Sequence, residues 1–345
     1  MEEEVRCFIR VWLVAVPAAF TYCYSLLSLL RAGKWRLLAL LPVVVLFALL
    51  PLSFSTVHGR LISASILSWL AIFKLLLFAF DHGPLCDASA TKRLSLPSFF
   101  AIASLPIMIR RKPPSSPRSG RADPVLTLLG FAVKGLILAS IISLYPQRPR
   151  FHRGVVLALY TIHMYLALDL GLACAAALGR ALLPAGTALE PQFAPPYLCS
   201  SLQDFWGRRW NLMVSGILRS AVHDPIRVRW GPTAGVMASF LVSGLMHEVI
   251  FFYVTLQPPT GEVASFFVLH GLCTVAEIAA KRWWTGRGMT PLHPAVATPL
   301  TIGFLLATGR WLFAPQILRI SAEELIVKEA EAVGFLFTGV VARAG

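Results

Sequence analysis

His247 lies in the apolar stretch Leu241–Glu248 and is the residue of this chain best suited to acid–base chemistry. An imidazole titrates near neutral pH and can take a proton from a hydroxyl group without a metal or a covalent cofactor. On a helix, Ser243 shares its face and the small Gly244 lies nearby, which leaves space beside the ring. A histidine that only hydrogen-bonds a neighbouring helix is the alternative explanation.

A second segment, residues 201–212, combines aromatic side chains, an amide and a pair of arginines. The Asn211 amide could polarise a carbonyl group or hold a hydroxyl in position. Arg208 and Arg209 could bind phosphate, because a guanidinium matches phosphate oxygens. The alternatives are a plain interfacial anchor, or arginines that only retain the loop in the cytosol. The further candidates for substrate binding at the two motifs are Asp204, Trp210 and Ser243.

Other kinds of catalytic site lack their residues in this sequence. There is no G-x-S-x-G motif for an acyl-serine mechanism. The six cysteines contain no C-x-x-C pair, and the eight histidines contain no H-x-x-x-H or H-E-x-x-H group. We therefore expect no bound metal and no cofactor, and we interpret the cysteines as packing residues.

The elements that must position the two motifs are membrane helices. The chain has 345 residues, of which 57% are hydrophobic and 14% charged, with a mean hydropathy of +0.70. Apolar runs of about twenty residues recur, and continuous runs without alternation favour helices over a barrel. The predicted fold is an all-α polytopic membrane protein with 8–9 transmembrane helices in one bundle. The predicted spans cover residues 7–30, 37–54, 61–80, 125–145, 154–179, 233–256, 263–280 and 293–314, with a weaker one at 330–342.

The distribution of positive charge predicts the orientation of these spans. Alternate loops carry nineteen Lys and Arg residues on one side and six on the other. The positive-inside rule then places the amino terminus in the lumen, and Arg208, Arg209 and Asn211 in the cytosol. The formal net charge of +14 is spread over membrane loops, which argues against nucleic-acid binding and favours membrane lipids or a phosphate-bearing cosubstrate.

Three regions follow from the composition. Residues 1–80 hold the first three spans, residues 81–124 form a basic, Pro- and Ser-containing cytosolic loop expected to be flexible, and residues 125–345 carry both motifs. Asp81 and His82 end the third span. Two polar residues of the fifth predicted span, His163 and Asp169, are candidates for the lining of a tunnel, without a catalytic role.

Residues 201–211 together with 244–248 resemble the plant wax synthase family, within the membrane-bound O-acyltransferase superfamily. The similarity extends over most of the chain, including residues 73–81 and 293–300. The resemblance implies esterification of a long-chain fatty alcohol by acyl-CoA, as a cosubstrate, in the endoplasmic reticulum membrane. It also implies an active site formed by His247 and Asn211, and a bundle that encloses a tunnel for the acyl chain and the alcohol.

The mechanism expected from these residues is direct transfer without an acyl-enzyme. A thioester is already activated, so His247 as general base need only deprotonate the alcohol, while Asn211 orients the hydroxyl or stabilises the oxyanion. Within the enzyme class, a sterol is the competing acceptor. The alternative of another class is a lipid transporter, with His247, His163 and Asp169 along its pathway. A non-enzymatic membrane scaffold is the third interpretation.

Overall fold

The computed structural model describes residues 2–86, 94–110 and 124–318, together with residues 324, 328 and 329. The regular secondary structure of these described residues is helical, and they form no named strand. The α-helices are α1 Glu2–Phe8, α2 Val16–Leu29, α3 Lys34–Leu49, α4 Val57–Ser63, α5 Ile72–Ala79, α6 Leu96–Ser104, α7 Pro124–Leu144, α8 Arg153–Leu182, α9 Leu202–Asp204, α10 Leu212–Leu218, α11 Asp224–Trp230, α12 Pro232–Thr255, α13 Glu262–Gly286, α14 Pro294–Thr308 and α15 Ala314–Leu318. The π-helical segments are Ile9–Ala15, Ala64–Ala71, Phe205–Arg209, Arg219–His223 and Gly309–Phe313, and the short 3-10 segments are Leu50–Ser53, Tyr145–Arg150 and Pro196–Leu198.

Eight helices in the described part of the chain are long and apolar enough to cross a membrane. Several of them join α-helical and π-helical segments without a break. They are Glu2–Leu26, Lys34–Ser53, Val57–Ala79, Thr127–Arg150, Arg153–Leu182, Pro232–Thr255, Glu262–Gly286 and Pro294–Gln316. The prediction of an all-α polytopic membrane protein is confirmed, and each of the eight strong candidates corresponds to one span. The weaker candidate at 330–342 lies outside the described residues.

The largest buried core joins the first three spans to α6. Four phenylalanine rings meet there in edge-to-face pairs: Phe20 with Phe47, at a centroid distance of 5.1 Å, and Phe78 with Phe99, at 5.5 Å. Such packing is what holds helices together in a bilayer, where lipid tails are as apolar as the side chains. Arg36 closes one end of this core by donating to the Asp81 carboxylate and to the carbonyl of Phe78.

The expectation of a flexible loop over residues 81–124 is wrong for α6, which is buried on most of its faces. The Ser95 hydroxyl caps its first turn by accepting from Ser98 N, and Lys74 Nζ donates to the carbonyls of Ile102 and Leu105, both at 2.7 Å. These contacts satisfy backbone groups that have no water partner in a membrane. The helix has nine residues, too few for a span, so hydropathy does not detect it. Residues 111–123, the most basic part of the loop, lie outside the described residues.

The two polar residues of the fifth span connect α8 to α7. Asp169 forms an ion pair with Lys134, and His163 Nδ1 lies 2.7 Å from the Tyr145 hydroxyl. The Tyr145 and His163 rings also stack, with centroids 5.6 Å apart. Both side chains therefore have a structural partner, which explains their presence in the membrane without a tunnel.

Contacts between the loops divide the bundle into two ends. Arg110 pairs with Glu190 at one end, where Leu202 N also donates to Glu277. At the other end, Ser55 donates to Glu4, and Arg148 pairs with Glu324. The pairs Arg110–Glu190, Ser55–Glu4 and Arg148–Glu324 each join segments outside the predicted spans that the charge count places on the same side, so the alternation of the predicted topology agrees with the fold. Residues 201–212 lie at the first end, which the charge count predicts to be cytosolic.

Candidate active site

His247 lies deep in the bundle, fifteen residues along α12 from Pro232, or ~22 Å at the helical rise of 1.5 Å per residue. Its Nδ1 atom is 2.7 Å from the carbonyl oxygen of Ser243. A carbonyl only accepts, so Nδ1 carries the proton and Nε2 keeps its lone pair. The imidazole is thus held in the tautomer that can act as a base at Nε2. Ser243 contributes its backbone carbonyl to this arrangement.

Aromatic rings from three other spans surround the imidazole. The Phe267 ring lies 4.4 Å from it between centroids, the Trp69 ring 5.2 Å and the Phe313 ring 6.2 Å. Trp69 and Phe313 both belong to π-helical segments, a geometry that is rare and frequent at functional sites. Apolar surroundings of this kind exclude water and strengthen the electrostatic interactions of a reacting group.

Glu248, beside the candidate base, has a structural partner. Its Oε1 atom accepts from the backbone N–H of Ala264 at 2.9 Å, in the first turn of α13, and the residue is 5% exposed. An acidic side chain at a helix amino terminus satisfies a free N–H and suits the helix dipole.

Gly244, one turn before Glu248, lets α12 and α13 approach closely, because an added Cβ would lie 3.0 Å from Ala264 Cα.

Asn211 ends the segment of residues 201–211 and begins α10. Its backbone has φ = 40°, in the left-handed region that Asn tolerates better than most residues. Its Oδ1 accepts from Val214 N at 3.4 Å, while its Nδ2 makes no hydrogen bond within the described part of the chain. Val214 packs against the buried cluster that contains Trp69, with Met246 at the same cluster. Helix α10 and the second motif therefore pack on the same buried cluster, although no hydrogen bond joins Asn211 to His247 among the described residues.

The two arginines of the motif have different surroundings. Arg209 Nε donates to the Asp204 carboxylate at 2.6 Å, and its Nη1 donates to the Pro195 carbonyl at 3.0 Å. Arg209 and Asp204 thus fix the turn between them, which contains a π-helical segment. Arg208 is exposed, and it makes no ion pair or hydrogen bond with any residue that the structure describes. Of the two, Arg208 is the one with a guanidinium available for a phosphate.

Trp210 belongs to a group of packed rings. It stacks on Phe205 at 5.3 Å between centroids and contacts Phe193 at 5.2 Å and Tyr165, on α8, at 6.1 Å. These contacts join residues 201–211 to α8 and to the preceding loop. The geometry gives Trp210 a packing role, and its contact with a substrate stays a prediction.

One histidine that the sequence did not single out, His270, holds the motif segment against the bundle. It is fully buried on α13, and its Nδ1 accepts from the Trp206 indole N–H at 3.2 Å. Its Nε2 then donates to the Thr308 hydroxyl at 2.9 Å, and that hydroxyl donates to the Phe304 carbonyl at 2.7 Å. Both ring nitrogens are used, so His270 positions Trp206 and has no lone pair left for acid–base chemistry.

The described residues contain no group of three or more His, Cys, Asp or Glu side chains that could hold a metal ion. Whether the protein works without a cofactor stays a prediction.

Comparison with known proteins identifies the family. Residues 189–269, which include both motifs, match the Membrane bound O-acyl transferase family. The chain is 45% identical over 337 residues to "Probable long-chain-alcohol O-fatty-acyltransferase 1" of Arabidopsis thaliana, covering 95% of this chain and 96% of that protein. It is 42% identical over 331 residues to "Long-chain-alcohol O-fatty-acyltransferase" of Simmondsia chinensis, covering 92% of each. It is also 39% identical over 335 residues to "Acyl-CoA--sterol O-acyltransferase 1" of Arabidopsis thaliana, covering 95% of each.

These similarities confirm the resemblance to the plant wax synthase family and favour an enzyme over a lipid transporter or a scaffold. The chain belongs to the membrane bound O-acyl transferase family and is an acyltransferase of the same type as these plant enzymes.

Proposed function

We propose that this protein transfers a fatty acyl group from acyl-CoA to the hydroxyl of a long-chain alcohol, giving a wax ester and free CoA. The observation that carries the proposal is the His247 imidazole, which keeps Nε2 as a base inside an aromatic pocket. The names of the Arabidopsis and Simmondsia relatives, both long-chain-alcohol O-fatty-acyltransferases, support the same substrates.

In this mechanism His247 Nε2 takes the proton of the alcohol hydroxyl while the alcohol oxygen attacks the thioester carbonyl carbon. A new C–O bond forms, the C–S bond breaks, and the CoA thiolate takes the proton back from Nε2. The acyl group goes directly to the alcohol, so no acyl-enzyme forms. General-base catalysis of this kind contributes typically ~10² to 10⁴ in rate.

Asn211 supplies amide N–H donors through Nδ2, which is not used by its helix cap. Such a donor orients the attacking hydroxyl or stabilises the negative charge that develops on the carbonyl oxygen. Its place at the start of α10, which packs through Val214 on the Trp69 cluster, supports an approach to the same pocket.

Arg208 binds the phosphates of the nucleotide part of acyl-CoA in this scheme. The nucleotide is polar and stays in water, whereas the acyl chain and the alcohol enter the membrane part of the bundle. This requires residues 201–212 to face the cytosol, as the distribution of Lys and Arg predicts, in the endoplasmic reticulum. Protease access to a tag between residues 111 and 123, in sealed microsomes, tests that orientation.

A sterol is the second candidate acceptor, because one relative of similar identity is named an acyl-CoA--sterol O-acyltransferase. The chemistry at His247 is the same for both alcohols. The choice between them depends on the shape of the acceptor site.

The experiment uses microsomes from a neutral-lipid-deficient strain that expresses this chain. They receive labelled palmitoyl-CoA and either hexadecanol or a sterol. Wax ester from hexadecanol, without sterol ester, is the result that we expect. Sterol ester alone would replace the proposed acceptor and keep the mechanism. The absence of ester with both acceptors would overturn the proposal. A quench that traps acyl-protein tests for the acyl-enzyme, whose detection would contradict direct transfer.

A further inference from the structure

The indole N–H of Trp69 is a buried hydrogen-bond donor without a partner in the described part of the protein. Trp69 is 6% exposed and lies in the π-helical segment Ala64–Ala71 of the third span. Neither lipid nor the packed apolar side chains around it offer an acceptor. An unpaired polar group is costly in such a place, and buried indole N–H groups usually find a partner.

Trp206 shows how the same group is treated elsewhere in this bundle. It is also partly enclosed by aromatic rings, but its Nε1 donates to His270 at 3.2 Å. The fold thus satisfies the indole that positions the motif and leaves the other one unpaired. Other buried atoms also lack a partner among the described residues, Ser63 Oγ and Glu248 Oε2 among them, but the ring of Trp69 is the one that contacts His247. An unsatisfied buried donor beside the candidate base points to a ligand that supplies the missing partner.

The place of Trp69 indicates which ligand this is. Its ring packs edge-on against His247, with centroids 5.2 Å apart and an interplanar angle of 70°. Trp69 shares a buried cluster with Tyr253 of α12, and Val214 of α10, the helix that Asn211 caps, packs against that cluster. Trp69 therefore lies next to the candidate base, in a cluster against which α10 also packs.

We propose that Trp69 Nε1–H is a catalytic hydrogen-bond donor to the carbonyl oxygen of the acyl thioester. This proposal rests on the acyl transfer proposed above. When the alcohol oxygen attacks the carbonyl carbon, the carbonyl π electrons move to the oxygen, and that negative charge strengthens the hydrogen bond from the indole. When the C–S bond breaks, the carbonyl reforms and the thiolate leaves with the proton from His247.

The carbonyl oxygen suits an indole better than the hydroxyl does. Indole only donates, and the alcohol must give its own proton to His247 Nε2, so an acceptor that gains charge is the complementary group. A donor that is already in place and excluded from water needs no rearrangement during the reaction. The unpaired N–H of the free enzyme is the cost of this preorganisation.

The test compares the full-length protein in microsomes or detergent with two Trp69 variants. Trp69→Phe removes the N–H and shortens the ring. Replacement of Trp69 by 3-benzothienyl-alanine, through non-canonical amino acid incorporation, keeps the bicyclic shape and puts sulfur in place of N–H. Trp35→Phe, at an exposed position of α3, is the matched control. The measurements are kcat, KM for palmitoyl-CoA and for hexadecanol, and the melting temperature.

We expect both Trp69 variants to lose kcat by ~10²-fold, the effect typical of removing an oxyanion donor. KM should change by less than about twofold, because the interaction strengthens only in the transition state. The benzothienyl variant should lose kcat and keep the melting temperature of the unmodified protein. A merely structural role of the N–H would not give this combination.

An unchanged kcat in the benzothienyl variant would overturn the proposal, even if Trp69→Phe is inactive through misfolding. A loss of kcat that only follows the folded fraction would overturn it as well. If the unmodified chain forms ester and the benzothienyl variant equals it, acyl transfer stands and only the role of Trp69 fails. If the unmodified chain forms no ester, the proposed function fails first and the role of Trp69 fails with it.

Discussion

Trp206 Nε1 lies 3.2 Å from His270 Nδ1, which joins the motif segment of residues 201–211 to the middle of α13. The same imidazole reaches Thr308 of α14, so a single chain of hydrogen bonds connects three elements. Each donor in this chain has an acceptor. The motif segment is thereby fixed at a defined depth in the bundle.

Removal of this link should destabilise the protein more than it changes the chemistry. His270→Ala leaves the Trp206 N–H without its partner, at a cost of about 1–3 kcal/mol, whereas the Thr308 hydroxyl keeps its bond to the Phe304 carbonyl. We expect a lower melting temperature and a lower kcat, because the motif loses its position. The control is His152→Ala, an exposed histidine whose Nδ1 accepts from Gly154 N at the start of α8, and it should lose less stability than His270→Ala. A normal melting temperature for His270→Ala would contradict this role.

Arg208→Ala should weaken acyl-CoA binding without changing stability. Arg208 is exposed and makes no contact within the described residues that its loss would break. If it binds phosphate, KM for palmitoyl-CoA rises about tenfold, as expected for the loss of a charge-assisted hydrogen bond of ~1.5 kcal/mol. KM for the alcohol stays the same. An unchanged KM for palmitoyl-CoA would remove Arg208 from the binding site.

Arg209 and Asp204 should behave as a structural pair. Their 2.6 Å contact is partly buried, with side-chain exposures of 25% and 15%. Each single variant, Arg209→Gln or Asp204→Asn, leaves the other charge without its partner. We therefore expect the double variant to lose less stability than the sum of the two single variants, by about 0.5–3 kcal/mol. Additive effects in this thermal-unfolding cycle would show that the pair contributes nothing.

Gly244→Ala tests the close packing of α12 on α13. The new Cβ would lie 3.0 Å from Ala264 Cα and 3.2 Å from the Ala264 carbonyl oxygen, both backbone atoms that cannot rotate away. Forced separation of the helices should cost about 1–3 kcal/mol and displace His247 from Phe267. Gly303→Ala, on α14 with nothing within 4 Å, is the matched control and should be neutral or stabilising. Equal melting temperatures for the two variants would refute the packing argument.

Much of the fold follows from the sequence, because each span is a continuous apolar run and hydropathy detects such runs directly. Helix α6 does not, since its nine residues are too short for that signal and its capping partner Lys74 comes from another span. The residues of the two motifs were identified by type and spacing. The sequence does not predict the different roles of these residues, because the partners of Arg209 and of Asn211 depend on a π-helical turn and on a left-handed backbone.

His270 shows a further limit of sequence reasoning. Its partners Trp206 and Thr308 are 64 and 38 residues away, so spacing along the chain carries no sign of the network. The buried environment of Trp69 is equally non-local, since it depends on α10 and α12. A histidine in an apolar helix was the available signal for both His247 and His270. Only their hydrogen bonds distinguish the two histidines: Nε2 of His247 is free to act as a base, whereas both ring nitrogens of His270 are bonded.

The central claim is that His247 is the general base, and the most direct measurement is ester formation by His247→Ala beside the unmodified chain and His152→Ala. Neutral-lipid-deficient microsomes with equal amounts of folded protein receive labelled palmitoyl-CoA and hexadecanol. We predict that His247→Ala loses ~10² to 10⁴ in rate, while His152→Ala keeps the rate of the unmodified chain. Full activity of His247→Ala would contradict the mechanism.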